Sequence, residues 1–463
     1  MIYRFILLCT ACAILCLYVT NNVMAQDTLS VNLQEFLERG LERSGQVSYE
    51  GRAVDLAVNR QKQARSQRFL PRIEISTQHG VTPGVKSPMG FPEGQFYLDP
   101  TLENDWEDWA IFTRAELSVV QPVFSWGAIS NAIKAAEAGA RASEFQFSAV
   151  KAEAEKQLFE LYYSYLLAIE IERILEEARS QIRQVERQIE QMQEEGDPTL
   201  KEADVFKFEI FKSEFAVQEM EVKQGVRSVE SIWNHILGDN SGTVYRPAEN
   251  FLDPVPFELE PFTYYEQMAI QNRPELRGAD EGIEATRRGA EAARAQRYPA
   301  LFIGLSGSYA NTPNRPRQSN PFIINSTNYA NAGVGFSFRQ NLNFSSMKNN
   351  VERADIEHRR VQDLKDALTD GIILELNETY SEAAIAEVRV RQTNEALITA
   401  RNWVRHEQLN YDIGFGDVED LLDAVEKELE LRLKLKQNTF ELNKKVAALN
   451  KAAGIPVNQL STN

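Results

Sequence analysis

From Leu175 the chain sets apolar residues at Ala178, Ile182, Val185, Ile189 and Met192, in steps that alternate between three and four. Glutamate and arginine fill the positions around this seam, which is the pattern of a coiled coil. The seam lies within residues 129–194, which hold no proline and one glycine, Gly139. A helix of that span would extend roughly 100 Å at about 1.5 Å per residue. Residues 346–412 repeat the design, again without proline and with one glycine, Gly371. Shorter helical stretches flank the long ones, with return helices over about 200–237 and 418–453 and leading helices over about 31–68 and 263–297. A return and a leading helix stacked end to end would match one long helix.

Between the helices the period changes from 3.6 to 2. In Ile73-Glu74-Ile75-Ser76-Thr77-Gln78, isoleucines alternate with polar residues. Ala115, Leu117 and Val119 alternate with Arg114, Glu116 and Ser118. In the second half Leu301, Ile303 and Leu305 alternate with Phe302, Gly304 and Ser306, and Val334, Phe336 and Phe338 with Gly333, Gly335 and Ser337. One face apolar and one face small or polar suits a barrel with lipid outside and water inside, but the alternation alone favours a half-buried soluble sheet. Two features favour the barrel. Trp106, Trp109, Phe112, Phe124 and Trp126 gather at segment ends, as an interfacial belt requires, and the loops at about 80–110 and 311–328 are long and rich in turn residues. Four strands are too few to close a membrane barrel, and open edges in lipid leave backbone groups unpaired, so several chains must share one barrel.

The helix–hairpin–long helix–return helix order occurs twice, with landmarks at a nearly fixed offset. Gly238 matches Gly454, Glu160-Leu161 with Tyr165 matches Glu375-Leu376 with Tyr380, Gly196 matches Gly414, and Gln121 matches Gln340. Such self-similarity marks a duplication. The expected organisation is a signal peptide over 1–25, a first repeat over 26–238 with its hairpin at about 72–121, a connector over 239–261, a second repeat over 262–454 with its hairpin at about 300–340, and a tail over 455–463. Pro247, Pro254, Pro256 and Pro261 in the connector break both helix and strand.

Composition narrows the function. Arg4, the apolar run Phe5–Val19 and Val23-Met24-Ala25 read as a secretory signal cleaved after Ala25. Cys9, Cys12 and Cys16 all lie inside it, which excludes disulfides, cysteine metal ligands and a thiol nucleophile from the mature chain. The net charge of −17 becomes −18 once that segment, with Arg4 and no acid, is removed. Such a chain repels nucleic acid, so no nucleic-acid partner is expected. No phosphate-binding or dinucleotide glycine motif is present, and His79, His235, His358 and His406 lack metal spacing. No catalytic residues, cofactor or metal are expected, and the chain is not read as an enzyme.

Three motifs, in order within the duplicated plan, resemble the TolC-like outer-membrane efflux family. They are Asn272-Arg273-Pro274-Glu275-Leu276 with Tyr298-Pro299 after it, Gln121-Pro122-Val123-Phe124-Ser125-Trp126-Gly127, and Tyr411-Asp412-Ile413-Gly414 followed by Asp417, Asp420, Leu421 and Ala424. The first copy departs by lacking the Pro-Glu-Leu entry, and the second hairpin lacks the proline after Gln340. The resemblance implies a mainly helical fold with a small β part. It implies a homotrimer with a twelve-stranded barrel in outer-membrane lipid, continuous with a periplasmic tunnel of twelve helices. A periplasmic adaptor protein and an inner-membrane transporter would be its partners, and the chain would be the exit duct of a tripartite efflux pump. A type I protein secretion duct, or a periplasmic coiled-coil scaffold, is the alternative.

The resemblance carries Gln121, Pro122, Phe124 and Gly127, with Pro71 and Pro299, as the barrel-to-helix transition. It places inward-facing acids near Asp420, which makes Asp420 and Asp423 the gate candidates, with Asp417 an N-cap or a third. Gly196, Gly414 and Gly416 are the expected tip turns and adaptor-docking points. Arg114 and Arg339, on the polar strand faces, either line the lumen or pair with Glu74 or Glu116, and pairing is the expectation.

Overall fold

The computed structural model describes residues 28–88, 90, 101–195, 200–238, 243–316, 326–412 and 418–460. Helices dominate: α1 (Leu33–Arg43), α2 (Gly45–Phe69), α3 (Ala128–Glu195), α4 (Glu202–Leu237), α5 (Phe262–Asn272), α6 (Pro274–Ala295), α7 (Phe344–Asp412) and α8 (Val418–Ala452). The strands are β1 (Thr28–Val31), β2 (Arg72–Lys86), β3 (Glu103–Phe124), β4 (Val244–Pro247), β5 (Ala300–Asn311) and β6 (Tyr329–Arg339). Each leading helical stretch is two helices rather than one: α1 ends at Ser44 and α5 at Arg273, where the backbone turns extended. The first hairpin is longer than alternation suggested, since β2 reaches Lys86 and β3 begins at Glu103. Among the described residues no helix is long and apolar enough to cross a membrane.

The chain forms two compact units. One unites residues up to Ser48, Val150–Arg273 and residues from Ile372. Its core is aromatic. Phe36 stacks on Trp233 at 4.3 Å between centroids, and Tyr165 meets Trp233 edge-on at 4.9 Å. Gly40 lets α1 approach, because a Cβ there would sit 2.7 Å from Leu158 Cδ2. β1 pairs in parallel with β4, so the proline-rich connector contains a strand that its composition concealed.

Among the described residues the rest of the connector has no ladder, and its backbone groups must be met by side chains. Glu170, buried on α3, accepts the Leu252 amide at 3.0 Å. Asn443, buried on α8, accepts the Val255 amide at 2.8 Å and donates to the Asp253 carbonyl at 2.9 Å. Lys436 donates to the Leu252 carbonyl at 3.0 Å. Tyr162 donates to the Val31 carbonyl at 3.0 Å and to Glu249. Burial and the Glu249 carboxylate push that hydroxyl far above the ordinary phenol value.

The return helices end alike, at Gly238 with φ 75° and Gly454 with φ 71°, the left-handed C-cap that glycine adopts without strain. Beside Gly454 the Arg273 motif acquires a physical role. The Arg273 side chain is 5% exposed and donates to Glu375 at 2.9 Å and to the Lys451 and Ala452 carbonyls at 3.3 Å each. It thus places a cation at the C-terminus of α8, meeting the Ala452 carbonyl and adding to the Gly454 amide that the Lys451 carbonyl already accepts at 3.0 Å.

The second unit comprises Tyr49–Ala149 and Pro274–Gly371. It holds a four-stranded antiparallel sheet in the order β2-β3-β5-β6. Ion pairs tie its helices together: Arg65–Glu137 at 2.7 Å, Arg141–Glu281 at 2.8 Å, Arg294–Asp355 and Lys365–Asp280 at 2.6 Å each. Gly278 and Gly282 of α6 face Phe145 Cβ and Val361 Cγ1, each 3.3 Å from where a Cβ would be.

Candidate functional site

Register sorts the sheet into two faces. Ile73 pairs with Val119 and Ile75 with Leu117; Val119 pairs with Leu305, Leu305 with Val334, Ile303 with Phe336 and Leu301 with Phe338. Because side chains alternate across a strand, these residues share one apolar face. Ile75, Val334, Phe336 and Phe338 are each at least 70% exposed in the single chain. The other face carries Glu74 against Ser118, Glu116 against Ser76 and Ser308, and Ser306 against Gly333. Arg114 and Arg339 do not pair with Glu74 or Glu116. Glu74 lies 3.6 Å from Arg72, and Arg339 is over the Phe302 ring at 5.2 Å. The neighbouring arginine and the ring are each closer along the chain or the ladder, so the expected pairing gives way to local contacts. The outer edges of β2 and β6 have no strand partner among the described residues.

Strand gives way to helix at the transition motif. Gln121 and Pro122 lie in β3, where register shifts between Pro122 and Phe124. Gln121 Nε2 donates to the Arg68 carbonyl at 2.8 Å, tying β3 to the end of α2 just before Pro71. Trp126 (φ 52°) and Gly127 (φ 89°) both take left-handed backbone, which reverses the chain into α3. For tryptophan this conformation is strained, and tertiary contacts hold it. Its indole donates to the Pro299 carbonyl at 2.9 Å and its ring lies 5.3 Å from Tyr298. The Ser125 hydroxyl then accepts the Ile129 amide at 3.3 Å.

In the first unit, Gly196, Gly414, Gly416 and Asp417 lie outside the described residues, and the helix ends beside them are described. The heptad seam is buried: Ala178, Ile182 and Ile189 of α3 pack with Phe208 and Phe215 of α4 and Leu429 of α8. On the first turns of α8, Leu421 and Ala424 are buried while Asp420 and Asp423 are exposed. Three residues apart, the two acids share one helix face. Lys207 of α4 bonds to Glu419. That bond, with Asp423 and Asp204 nearby, holds its ammonium above the ordinary lysine value. Asp204 was not singled out by the sequence reading. It is fully buried on α4, and neither carboxylate oxygen has a hydrogen-bond partner among the described residues. Its signal was the repeat offset, which aligns it with Asp420. Among the described residues no group of three or more His, Cys, Asp or Glu side chains is disposed to hold a metal.

The model of the outer membrane efflux protein family matches residues 266–455. No curated protein matches the chain by sequence. Among solved structures, the chain is similar to the outer-membrane channel OprN, at 15% identity and a TM-score of 0.68, with 91% of this chain and 89% of that chain covered. Similar too are the Campylobacter jejuni outer membrane channel CmeC (13% identity, TM-score 0.69, 92% and 86% covered) and the Vibrio cholerae outer membrane protein VceC (14%, 0.69, 92% and 96%). At these identities the likeness establishes a shared fold.

Proposed function

We propose that this chain, a member of the outer membrane efflux protein family by its residues 266–455, is an outer-membrane duct through which small molecules leave the cell. The observation that carries the proposal is the two-faced sheet with open edges. An apolar face with Val334, Phe336 and Phe338 at 70% exposure or more is stable against lipid and costly against water. The opposite face of serine, glycine and charge suits a water-filled lumen. Unpaired edge groups in lipid cost several kcal/mol each, so β6 of one copy pairs with β2 of the next, and three copies give twelve strands. The domain plan belongs to the same proposal: two repeats over 26–238 and 262–454, a connector over 239–261 and a signal peptide over 1–25. The left-handed ends at Gly238 and Gly454 support it.

Driving energy comes from an inner-membrane transporter acting through a periplasmic adaptor that docks at the tip turns of Gly196, Gly414 and Gly416. Asp420 and Asp423 form the gate. In a trimer each becomes a ring of three like charges that attracts cations and repels anions. Single-channel recording of the purified chain in a planar bilayer tests this. Cation-selective openings are expected in wild type, with the potassium-over-chloride preference cut by at least half in Asp420→Ala, Asp423→Ala. Openings with unaltered selectivity in the variant refute the gate, and folded protein that never conducts refutes the duct.

A further inference from the structure

The hairpin end of the sheet bears a cationic cavity that the duct reading does not use. β3 places Arg114 on the polar face, in register with Gln78 of β2 and Ala310 of β5. The segment after β5 folds back over this end. The Thr312 amide donates to Asn328 Oδ1 at 2.7 Å, and Asn328 Nδ2 donates to the Thr312 and Arg315 carbonyls at 3.1 and 3.0 Å. Arg315 is thereby presented to β2. Its Nε and Nη2 donate to the Pro83 carbonyl at 3.3 and 3.1 Å, and Nη2 donates to Thr82 Oγ1 at 3.1 Å.

Arg114 and Arg315 line one cavity of about 190 Å³, together with Thr82 and Thr312. Neither guanidinium forms an ion pair among the described residues, and Nη1 of Arg315 has no acceptor there. Glu116, the next acid along the same face, is registered against Ser76 and Ser308. Asp108 has its carboxylate against Gly84. Two guanidiniums beside one cavity repel each other, and a guanidinium fixed along one edge with its other nitrogen free is pre-organised for a planar anion.

We propose that this cavity is an anion site that takes a carboxylate or phosphate group of a soluble solute. Binding itself requires only these residues. Its exposure to a lumen rests on the duct reading, and lipid is excluded as the source because the site lies on the polar face.

The test is calorimetric titration of the full chain in detergent with citrate at constant ionic strength, beside citrate block of single-channel current. Saturable binding is expected in wild type and in Arg339→Gln, whose guanidinium lies over Phe302. Binding at least tenfold weaker is expected in Arg315→Gln and in Arg114→Gln. Arg114 makes no bond that folding would miss, so its variant keeps the test open if Arg315→Gln unfolds. Absence of saturable binding in wild type, or equal binding in all variants, overturns the site. Citrate that binds in detergent but leaves the current of a conducting channel untouched upholds the site and overturns its lumenal placement.

Discussion

Arg273 answers two needs at once. It neutralises Glu375 and satisfies carbonyls at the end of α8, from a position 5% exposed. Removing it takes one cation from Glu375, which is 35% exposed and keeps Lys451 at 3.0 Å, and strips the Ala452 carbonyl of its donor, so Arg273→Ala is expected to cost about 1–3 kcal/mol in urea unfolding. Arg273→Lys is expected to recover only part, since an ammonium cannot span Glu375 and two carbonyls. Glu375 adds a pH signature. Burial opposes its ionisation, but Arg273 and Lys451 outweigh burial and hold it below the ordinary value of 4.5. A carboxylate with a depressed folded value stabilises the fold above its unfolded value, and that contribution fades as pH falls through the folded one. The stability gap between wild type and Glu375→Gln should therefore be constant above about pH 5.5 and narrow below 4.5. A gap independent of pH would show that Glu375 is not the group responsible.

Among elements, the connector shows how a segment without regular structure is held. Asn443 supplies both an acceptor to Val255 and a donor to Asp253. Asn443→Ala leaves both backbone groups unmet, at about 1–3 kcal/mol each. At least tenfold faster amide exchange is expected at Val255, while Trp233 and its aromatic neighbours stay protected; Asn443→Asp should retain the Val255 bond and slow that loss. This element was also the least legible. Prolines at 247, 254, 256 and 261 spoke against any strand, yet β4 ends at Pro247, at a place where its missing amide proton is tolerated. The strands of the large sheet were visible because period-two alternation exposes one apolar face. Their far ends were not, because Thr82-Pro83-Gly84 and the acidic run before Trp109 carry no alternation. The register shift between Pro83 and Gly84 is the physical counterpart. Burial of Asp204 was equally hidden, since a lone aspartate in a first helical turn reads as a solvated cap. The long helices needed no such context: a strict three–four seam without proline predicts itself.

At the scale of the whole molecule, the sheet order decides how copies can meet. β2 and β6 are its two edges, and the antiparallel ladder runs β2, β3, β5, β6. An even number of antiparallel strands leaves β6 of one copy antiparallel to β2 of the next, so the pairing is heterologous and must either close into a ring or run on as a filament. In lipid only closure leaves no unpaired edge. All three cysteines lie within residues 1–25, so single cysteines introduced on the edge strands report without background once that segment is removed. A panel pairing Glu74→Cys, Ser76→Cys or Gln78→Cys with Asn331→Cys, Gly333→Cys or Gly335→Cys, oxidised in purified outer membranes, should yield one register whose products end at covalent trimer. Products that extend without limit would mean the edges pair but do not close. Products confined to monomer in every register would mean the edges never meet, and the exposed apolar face would then need a cover other than a shared barrel.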